Sequence, residues 1–319
     1  MGSMAKEKMK KKKGQKIAPA ILWKQRWLLV MSVPFVIWLI IFKYIPLWGW
    51  TMAFQEVKPA TFALPIWERT WVGFKNFTDA FKDRLFTQTL INTLGVSFLD
   101  IAVGTIAAIA FAVLLNEMFF MKFKKVTQTI SYLPHFLSWI IVTGILHDAL
   151  SGTGIINELL VNFGILDQPL NFFAYPKYFW PIVAFANVWK ETGWNAIIYL
   201  AAITSIDPSL YEAASIDGAG RWAKIKYVTL PGIKPTIMIL LLMNVGNVLN
   251  AGFEIQYLLG NGLVQKVSQT IDIYVLKWGI SQGDYSIGTA AGIFKSAVSI
   301  ILIVIANQIA KRNGEERLF

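Results

Sequence analysis

Long apolar runs alternate with shorter polar stretches along almost the whole chain. Each of six runs approaches the ~20 residues that a helix needs to cross the hydrocarbon core of a bilayer. The runs cover, roughly, residues 27–47, 89–115, 130–150, 179–203, 235–259 and 287–310. The composition supports this pattern, because 55% of the 319 residues are hydrophobic and 15% are charged, too apolar a mixture for an ordinary soluble protein. The pattern predicts an all-α membrane protein with six transmembrane helices.

The distribution of Lys and Arg predicts how these helices are oriented. An even number of spans places both termini on one side of the membrane. The arm, loops and tail on that side carry 19 Lys and Arg residues, against 8 on the opposite side. Positive residues favour the cytoplasm, so both termini are expected there. The formal net charge of +11 is therefore assigned to membrane topology and lipid contact rather than to nucleic acid, since no basic and aromatic binding module accompanies it.

Four segments follow from this topology. A basic cytoplasmic arm covers 1–26, of which 1–3 has the form of a cloning remnant, so the natural start is expected at Met4. The first transmembrane helix and an external loop cover 27–85, a transmembrane core covers 86–312, and a cytoplasmic tail covers 313–319.

A polar stretch, residues 207–231, lies between the fourth and fifth apolar runs. Asp207 is a good N-cap and Pro208 a good first helical residue, so the sequence predicts a short helix from Pro208 to near Ile216. Gly218 and Gly220 can take the turn that ends it. A second, basic helix is predicted from residue 221 to about 229, where Leu230-Pro231 should stop it.

Two predicted spans carry polar side chains on one helical face, at 100° per residue. In the fourth span these are Asn187, Lys190, Glu191, Trp194 and Asn195, and in the fifth they are Asn244, Asn247, Asn250 and Glu254. Amides, carboxylates and Trp rings together suit a sugar, which offers hydroxyls and flat C–H faces. The alternative is hydrogen bonding between helices, and both interpretations stay open for these spans. For the second span, which carries Thr93, Ser97, Asp100 and Gly104, helix contact is favoured.

Several kinds of chemistry find no support. The chain has no Cys and no phosphate-cradling G-x-x-x-x-G-K-[ST] motif, so any ATP-driven role needs a partner. The segment 279–283 matches G-x-S-x-G, which makes a membrane serine hydrolase using Ser281 the competing hypothesis. The two histidines, His135 and His147, lie far along the chain from any orienting acid except Asp148. No catalytic, cofactor or metal site is predicted.

The polar stretch carries a family resemblance. Glu212-Ala213-Ala214, then Gly218, then Leu230-Pro231 resemble the EAA signature of permease subunits of bacterial ABC importers. The segment from Phe42 to Gly49 looks like the subgroup that imports oligosaccharides and polysaccharide fragments. The resemblance implies the type I ABC importer permease (MetI-like) fold in the bacterial cell membrane, and an oligosaccharide or glycan as cargo. Import of a non-sugar solute stays open.

The resemblance also implies partners and residue roles. A coupling helix at about 207–220 would sit in a groove of an ATPase, and that ATPase would bind ATP and Mg, with no cofactor in this chain. The partners implied are a second permease in a heterodimer, two ATPase subunits, an external sugar-binding protein and the oligosaccharide. The implied coupling residues are Tyr211, Glu212, Ala213, Ala214, Asp217, Gly218, Leu230 and Pro231. The candidate substrate pathway consists of Asn187, Glu191, Trp194, Asn195, Asn244, Asn247, Asn250 and Glu254.

Overall fold

Helices make up nearly all regular structure in the computed structural model, which describes residues 25–318. The α-helices are α1 Arg26–Leu39, α2 Pro59–Phe62, α3 Lys75–Lys82, α4 Arg84–Asn116, α5 Met121–Tyr132, α6 Trp139–Leu150, α7 Ile155–Asn162, α8 Pro176–Thr204, α9 Pro208–Ile216, α10 Arg221–Lys224, α11 Leu230–Gly246, α12 Phe253–Leu259, α13 Gln265–Ser268, α14 Ile271–Tyr274 and α15 Tyr285–Arg312. Four 3₁₀ segments lie at Ile45–Phe54, Ile66–Glu68, Leu133–Phe136 and Phe172–Ala174, and three π turns at Ile40–Tyr44, Ile225–Thr229 and Val275–Ser281. The predicted all-α fold is confirmed. The predicted basic arm lies outside the described residues except for its last two positions.

The chain separates into two units, the first ending at Thr51 and the second beginning at Met52. In the first unit no residue of α1 is buried, and Trp38 contacts Phe42 with ring centroids 5.7 Å apart. The second unit contains every other α-helix given above for residues 25–318 and the sites described below. Its central element is the pair formed by α4 and α8.

Five helical segments of the described residues are long and apolar enough to cross a membrane: Arg26–Phe54, Arg84–Asn116, Trp139–Asn162, Arg221–Gly246 and Tyr285–Arg312. The predicted fourth span lies in α8, a helix of 29 residues that is not among these five. The count of six spans and the cytoplasmic placement of both termini therefore stay predictions.

Two of the predicted spans are wrong as continuous helices. The third, 130–150, is interrupted by the 3₁₀ turn Leu133–Phe136 between α5 and α6. Leu137 and Ser138 are extended after this turn, and the Ser138 hydroxyl caps α6 by accepting a hydrogen bond from the Ile141 N–H. The fifth, 235–259, ends at Gly246 and resumes only at α12. The Asn247 amide donates to the Met243 carbonyl at 3.0 Å, and such local side-chain bonds compete with helix propagation.

The predicted stop at Leu230-Pro231 is also wrong. The chain stays helical from α10 through the π turn Ile225–Thr229 and into α11. Proline lacks an N–H and clashes with the carbonyl four residues earlier. The wider π turn contains the carbonyl with which Pro231 would clash. The helix therefore continues through Pro231 instead of ending there.

Small residues let α4 and α8 approach closely. Ala108, Ala112 and Ala196 are all buried in one cluster with Tyr199 and Ile233, as expected where helices associate by van der Waals contact. Gly193 allows α8 to approach α5 as well, since a β-carbon there would lie 2.1 Å from the Ser131 carbonyl oxygen. α8 is thereby fixed on two sides, and its polar residues are held in defined positions.

Candidate functional site

The predicted short helix appears as α9, with both ends as the sequence indicates. The Asp207 side chain accepts a hydrogen bond from the Ser209 N–H at 2.9 Å, and this bond holds the pKa of the Asp207 carboxyl below its ordinary value. At the other end Gly218 has a φ of +76°. The Gly218 N–H donates to the Ser215 carbonyl and the Ala219 N–H to the Ala214 carbonyl, at 3.1 and 2.8 Å. These two bonds form a Schellman motif, whose left-handed residue favours glycine.

Two contacts fix α9 and the short α10 against the rest of the second unit. The Tyr211 hydroxyl lies 3.0 Å from the Thr229 hydroxyl in the π turn. Arg221, at the start of α10, pairs with Glu117 at 3.0 Å and lies over the Phe119 ring. Tyr211 therefore attaches the inward-facing side of α9 to the π turn.

The remaining residues of the predicted coupling set face outward. Glu212, Ala213, Asp217 and Pro231 are exposed, Ala214 is half-buried, and Leu230 is 38% exposed. Ile216 beside them is 87% exposed. The surface therefore combines a carboxylate, small residues and an aliphatic side chain on a firmly capped helix.

A cavity of about 180 Å³ lies among α4, α8 and α11. Four of the predicted pathway residues line it: Asn187, Glu191, Asn195 and Asn244. Asp100 and Gly104 of α4 line the same cavity, although the sequence favoured helix contact for that face. The polar face of the second span therefore has two roles. Asp100 and Gly104 line the cavity, whereas Thr93 contacts a neighbouring segment by accepting a hydrogen bond from the Ile271 N–H at 3.0 Å.

The other predicted pathway residues do not line this cavity. The predicted wedge of the fifth span assumed one continuous helix, and the break after Gly246 separates its members. Asn250 donates to the Asn247 side chain at 3.1 Å, and Glu254 is exposed in the first turn of α12. Trp194 stacks on His135 with centroids 4.3 Å apart and planes 3° apart.

His135 has an acid partner that sequence distance concealed. Its Nδ1 lies 2.7 Å from Glu191 Oε2, although the two residues are 56 positions apart. The buried Lys190 donates to the His135 carbonyl at 2.6 Å and to Glu191 Oε1 at 3.0 Å. The expectation that Asp148 is the nearest acid to the histidines is therefore wrong for His135. Pro134, which marks the turn carrying this histidine, is the signal that could have located the cluster.

The segment 279–283 lacks the geometry of a nucleophile elbow. It lies at the end of the π turn Val275–Ser281, whereas an elbow requires a strand followed by a helix. The Ser281 hydroxyl donates to the Leu276 carbonyl at 3.3 Å. Gly279 lies against Gly288 of α15, where a β-carbon on Gly288 would come within 2.6 Å of the Gly279 Cα. Gly279 of the motif therefore serves the contact with α15, and Gly283, whose φ is +73°, lies in a turn against Pro59.

Comparison with known proteins decides the family. Residues 100–314 match the family described as binding-protein-dependent transport system inner membrane component. The chain belongs to this family. It is a transport permease and not an enzyme, so the hydrolase hypothesis for Ser281 is wrong.

The permease resembles sugar transport components over its whole length. It is 42% identical over 311 residues to the polygalacturonan/rhamnogalacturonan transport system permease protein YteP of Bacillus subtilis, covering 97% of this chain and 95% of the relative. It superposes with a TM-score of 0.86 and 36% identity on a chain of a bacterial alginate ABC transporter in complex with an alginate pentasaccharide-bound periplasmic protein. That likeness covers 95% of this chain and 100% of the other. A second structure of a bacterial ABC transporter, involved in import of the acidic polysaccharide alginate, gives a TM-score of 0.83 at 37% identity, covering 91% and 97%. These likenesses confirm the MetI-like ABC permease fold.

Proposed function

We propose that this permease forms half of the translocation pathway for an oligosaccharide or glycan, and that α9 couples it to a partner ATPase. The observation that carries the proposal is the whole-length likeness to a chain of the alginate transporter, at 36% identity with 95% and 100% coverage. The name of the Bacillus subtilis relative, a polygalacturonan/rhamnogalacturonan transport permease, supports a polysaccharide fragment as cargo.

The cavity is the candidate pathway segment of this chain. Its amides can donate to and accept from sugar hydroxyls, and its carboxylates can accept from them. Asn187, Glu191 and Asn195 contribute from α8, and Asn244 contributes from α11. A second permease subunit would supply the facing half, as expected for a heterodimer. A cavity of about 180 Å³ is below the ~300 Å³ at which ligand pockets usually begin, which agrees with a site completed by a partner.

α9 has a direct connection to both helices that contribute those groups. It follows α8 after only three residues, and the chain continues from it through α10 and the π turn into α11. The Tyr211 to Thr229 contact fastens α9 to that π turn. A displacement of α9 by a closing ATPase dimer would therefore move α8 and α11 together, and change access to the cavity.

The partners follow from this role. Two ATPase subunits would bind ATP and Mg and receive α9 in a groove, where Glu212 makes charged contacts and Ala213 and Ala214 permit close approach. An extracellular sugar-binding protein would deliver the cargo on the side opposite α9.

Copurification from native membranes tests this assembly. The expected result is an ATPase and a second permease captured with this chain. Capture of this chain alone, in a sample that still transports, would contradict the assembly. Growth of a deletion strain on candidate glycans then identifies the cargo, and unchanged growth on every glycan with loss of uptake of another solute would overturn the saccharide assignment.

A further inference from the structure

A second pocket, of about 440 Å³, lies at the opposite end of α8 from α9. It is bounded by α12, by α13 with its flanking residues, and by the π turn Val275–Ser281. Trp180, near the start of α8, donates its indole N–H to the Val267 carbonyl at 2.9 Å. α9 follows the last residue of α8, and about 24 residues of helix separate these levels, or roughly 36 Å at 1.5 Å per residue. The pocket therefore lies on the face that receives cargo if α9 lies on the ATPase side.

The wall of this outer pocket is firmly built. The buried Asn92 of α4 donates to the carbonyls of Lys266 and Gln269, each at 2.8 Å. Thr93 accepts the Ile271 N–H at 3.0 Å. Because these bonds hold one carbonyl within α13 and two backbone groups just after it, the short helix keeps a fixed position. Side chains that line the pocket are thus presented from a rigid frame, as binding sites require.

One lining side chain has an unmet hydrogen-bonding group. Gln256 is fully buried, and its Nε2 donates to the Ala251 carbonyl at 3.4 Å, whereas its Oε1 has no partner among the described residues. A buried acceptor without a donor costs about 1–3 kcal/mol. A hydrogen-bond donor from outside the chain would satisfy Gln256 Oε1, and a ligand hydroxyl is a suitable donor.

The rest of the lining is rich in neutral polar groups and contains one cation. Gln265, Gln269 and Ser268 add amides and a hydroxyl, and Tyr257 adds a half-exposed ring. Lys277 is the charged residue of the lining, which includes no carboxylate, and it forms no ion pair within residues 25–318. The cavity among α4, α8 and α11, called the inner cavity from here on, has the opposite charge, because the carboxylates of Asp100 and Glu191 line it.

We infer that the outer pocket is a subsite for a saccharide unit bearing a carboxylate, with Lys277 pairing the carboxylate and Gln256 and Gln269 binding the hydroxyls. Amides match hydroxyls in both donor and acceptor roles, and an ammonium group binds a carboxylate by a charge-assisted hydrogen bond. The subsite rests on the proposed function, because it receives the saccharide that the inner cavity then conducts.

Uptake by the complete transporter in proteoliposomes, with its binding protein, tests the subsite. The two probes are trigalacturonate and its methyl ester, which has the same hydroxyls and no carboxylate. Lys277→Gln should raise the KM for trigalacturonate about tenfold, the equivalent of ~1.4 kcal/mol, and leave the KM for the ester unchanged. Lys266→Gln is the matched control, because Lys266 is an exposed lysine of the same segment outside the lining, and it should change neither KM.

A second variant tests the hydroxyl contacts. Gln256→Met removes the unpaired acceptor at similar volume, so the KM should rise for both probes while the thermal midpoint without ligand does not fall. Equal KM values for Lys277→Gln and the parent on trigalacturonate would overturn the subsite and leave the transport function intact. If the parent takes up neither probe although ATP drives its uptake of a non-sugar solute, the saccharide function itself fails, and the subsite fails with it.

Discussion

Polar groups are arranged differently along α8 and on α9, although the two helices are consecutive. On α8 the ammonium of Lys190 is buried and bound by His135 and Glu191. On α9 no residue is buried, and the acidic Glu212 points away from the protein's own core. Most buried polar groups are paired within the chain, whereas exposed ones are free to meet a partner. The difference indicates that the cluster of His135, Lys190 and Glu191, called the α8 cluster below, maintains the fold around the cavity. It also indicates that α9 offers a contact surface.

The largest expected effect comes from breaking the α8 cluster. Glu191→Leu leaves the buried Lys190 ammonium without its carboxylate, so the thermal midpoint in detergent should fall, by the equivalent of at most about 3 kcal/mol because Glu191 is itself partly exposed. The double variant Lys190→Met/Glu191→Leu removes both charges and should lose less. A single variant as stable as the parent would show that the cluster does not support the fold.

The next largest effect should separate function from stability. Glu212→Lys reverses a charge on the exposed face of α9, so transport in the complete complex should fall on the order of tenfold, the equivalent of ~1.4 kcal/mol, with no change in thermal midpoint. Glu316→Lys makes the same change at another exposed carboxylate and should leave transport at the parental rate. Equal transport by Glu212→Lys and the parent, with normal assembly, would exclude α9 as the coupling contact.

Two glycines that follow α9 differ in backbone conformation. A β-carbon meets no atom within 4 Å at either Gly218 or Gly220, and only Gly218 has a positive φ. Gly218→Ala should therefore cost about 1 kcal/mol through backbone strain alone, while Gly220→Ala should be neutral. Hydrogen exchange at the last turn of α9 reports the difference, and equal exchange in the two variants would contradict the strained turn.

The smallest effect concerns the start of α9. Because the folded state lowers the pKa of Asp207, its capping bond stabilises α9 above the ordinary pKa of about 3.9, and is lost as the pH falls through the lowered value. Asp207→Asn keeps an acceptor and should remove this dependence, whereas Asp207→Ala should increase amide exchange of Ser209 at neutral pH. Identical exchange in Asp207→Ala and the parent would mean that the cap contributes nothing.

The sequence predicted α9 from Pro208 to Ile216 because its signals are local. Asp207, Pro208 and Gly218 act within a few residues of the helix ends, and distant contacts do not change them. Asn187, Glu191 and Asn195 share one continuous helix, and all three line the inner cavity. The continuous polar face predicted for the fifth span does not extend beyond Gly246, where amides bond locally and end the helix.

Contacts between distant residues explain the remaining failures. His135 meets Glu191 only because the turn at Pro134 directs α5 and α6 onto α8, and hydrophobic periodicity does not encode that placement. The outer pocket depends on Asn92 holding carbonyls more than 170 positions away. A single sequence shows which residues are polar or apolar, but it does not show which distant residues are in contact in the fold.

If α9 contacts the ATPase, a photoreactive group placed on α9 should crosslink to the ATPase. The chain contains no Cys, so Ala213→Cys supplies a single thiol on the exposed face of α9, and a thiol-linked photoreactive group can be attached there in the complete transporter. Leu263→Cys, at a position that is 67% exposed at the opposite end of α8, is the matched control. We expect an ATPase adduct from position 213 and none from position 263. Adducts from position 213 that contain lipid or the permeases but no ATPase would contradict it.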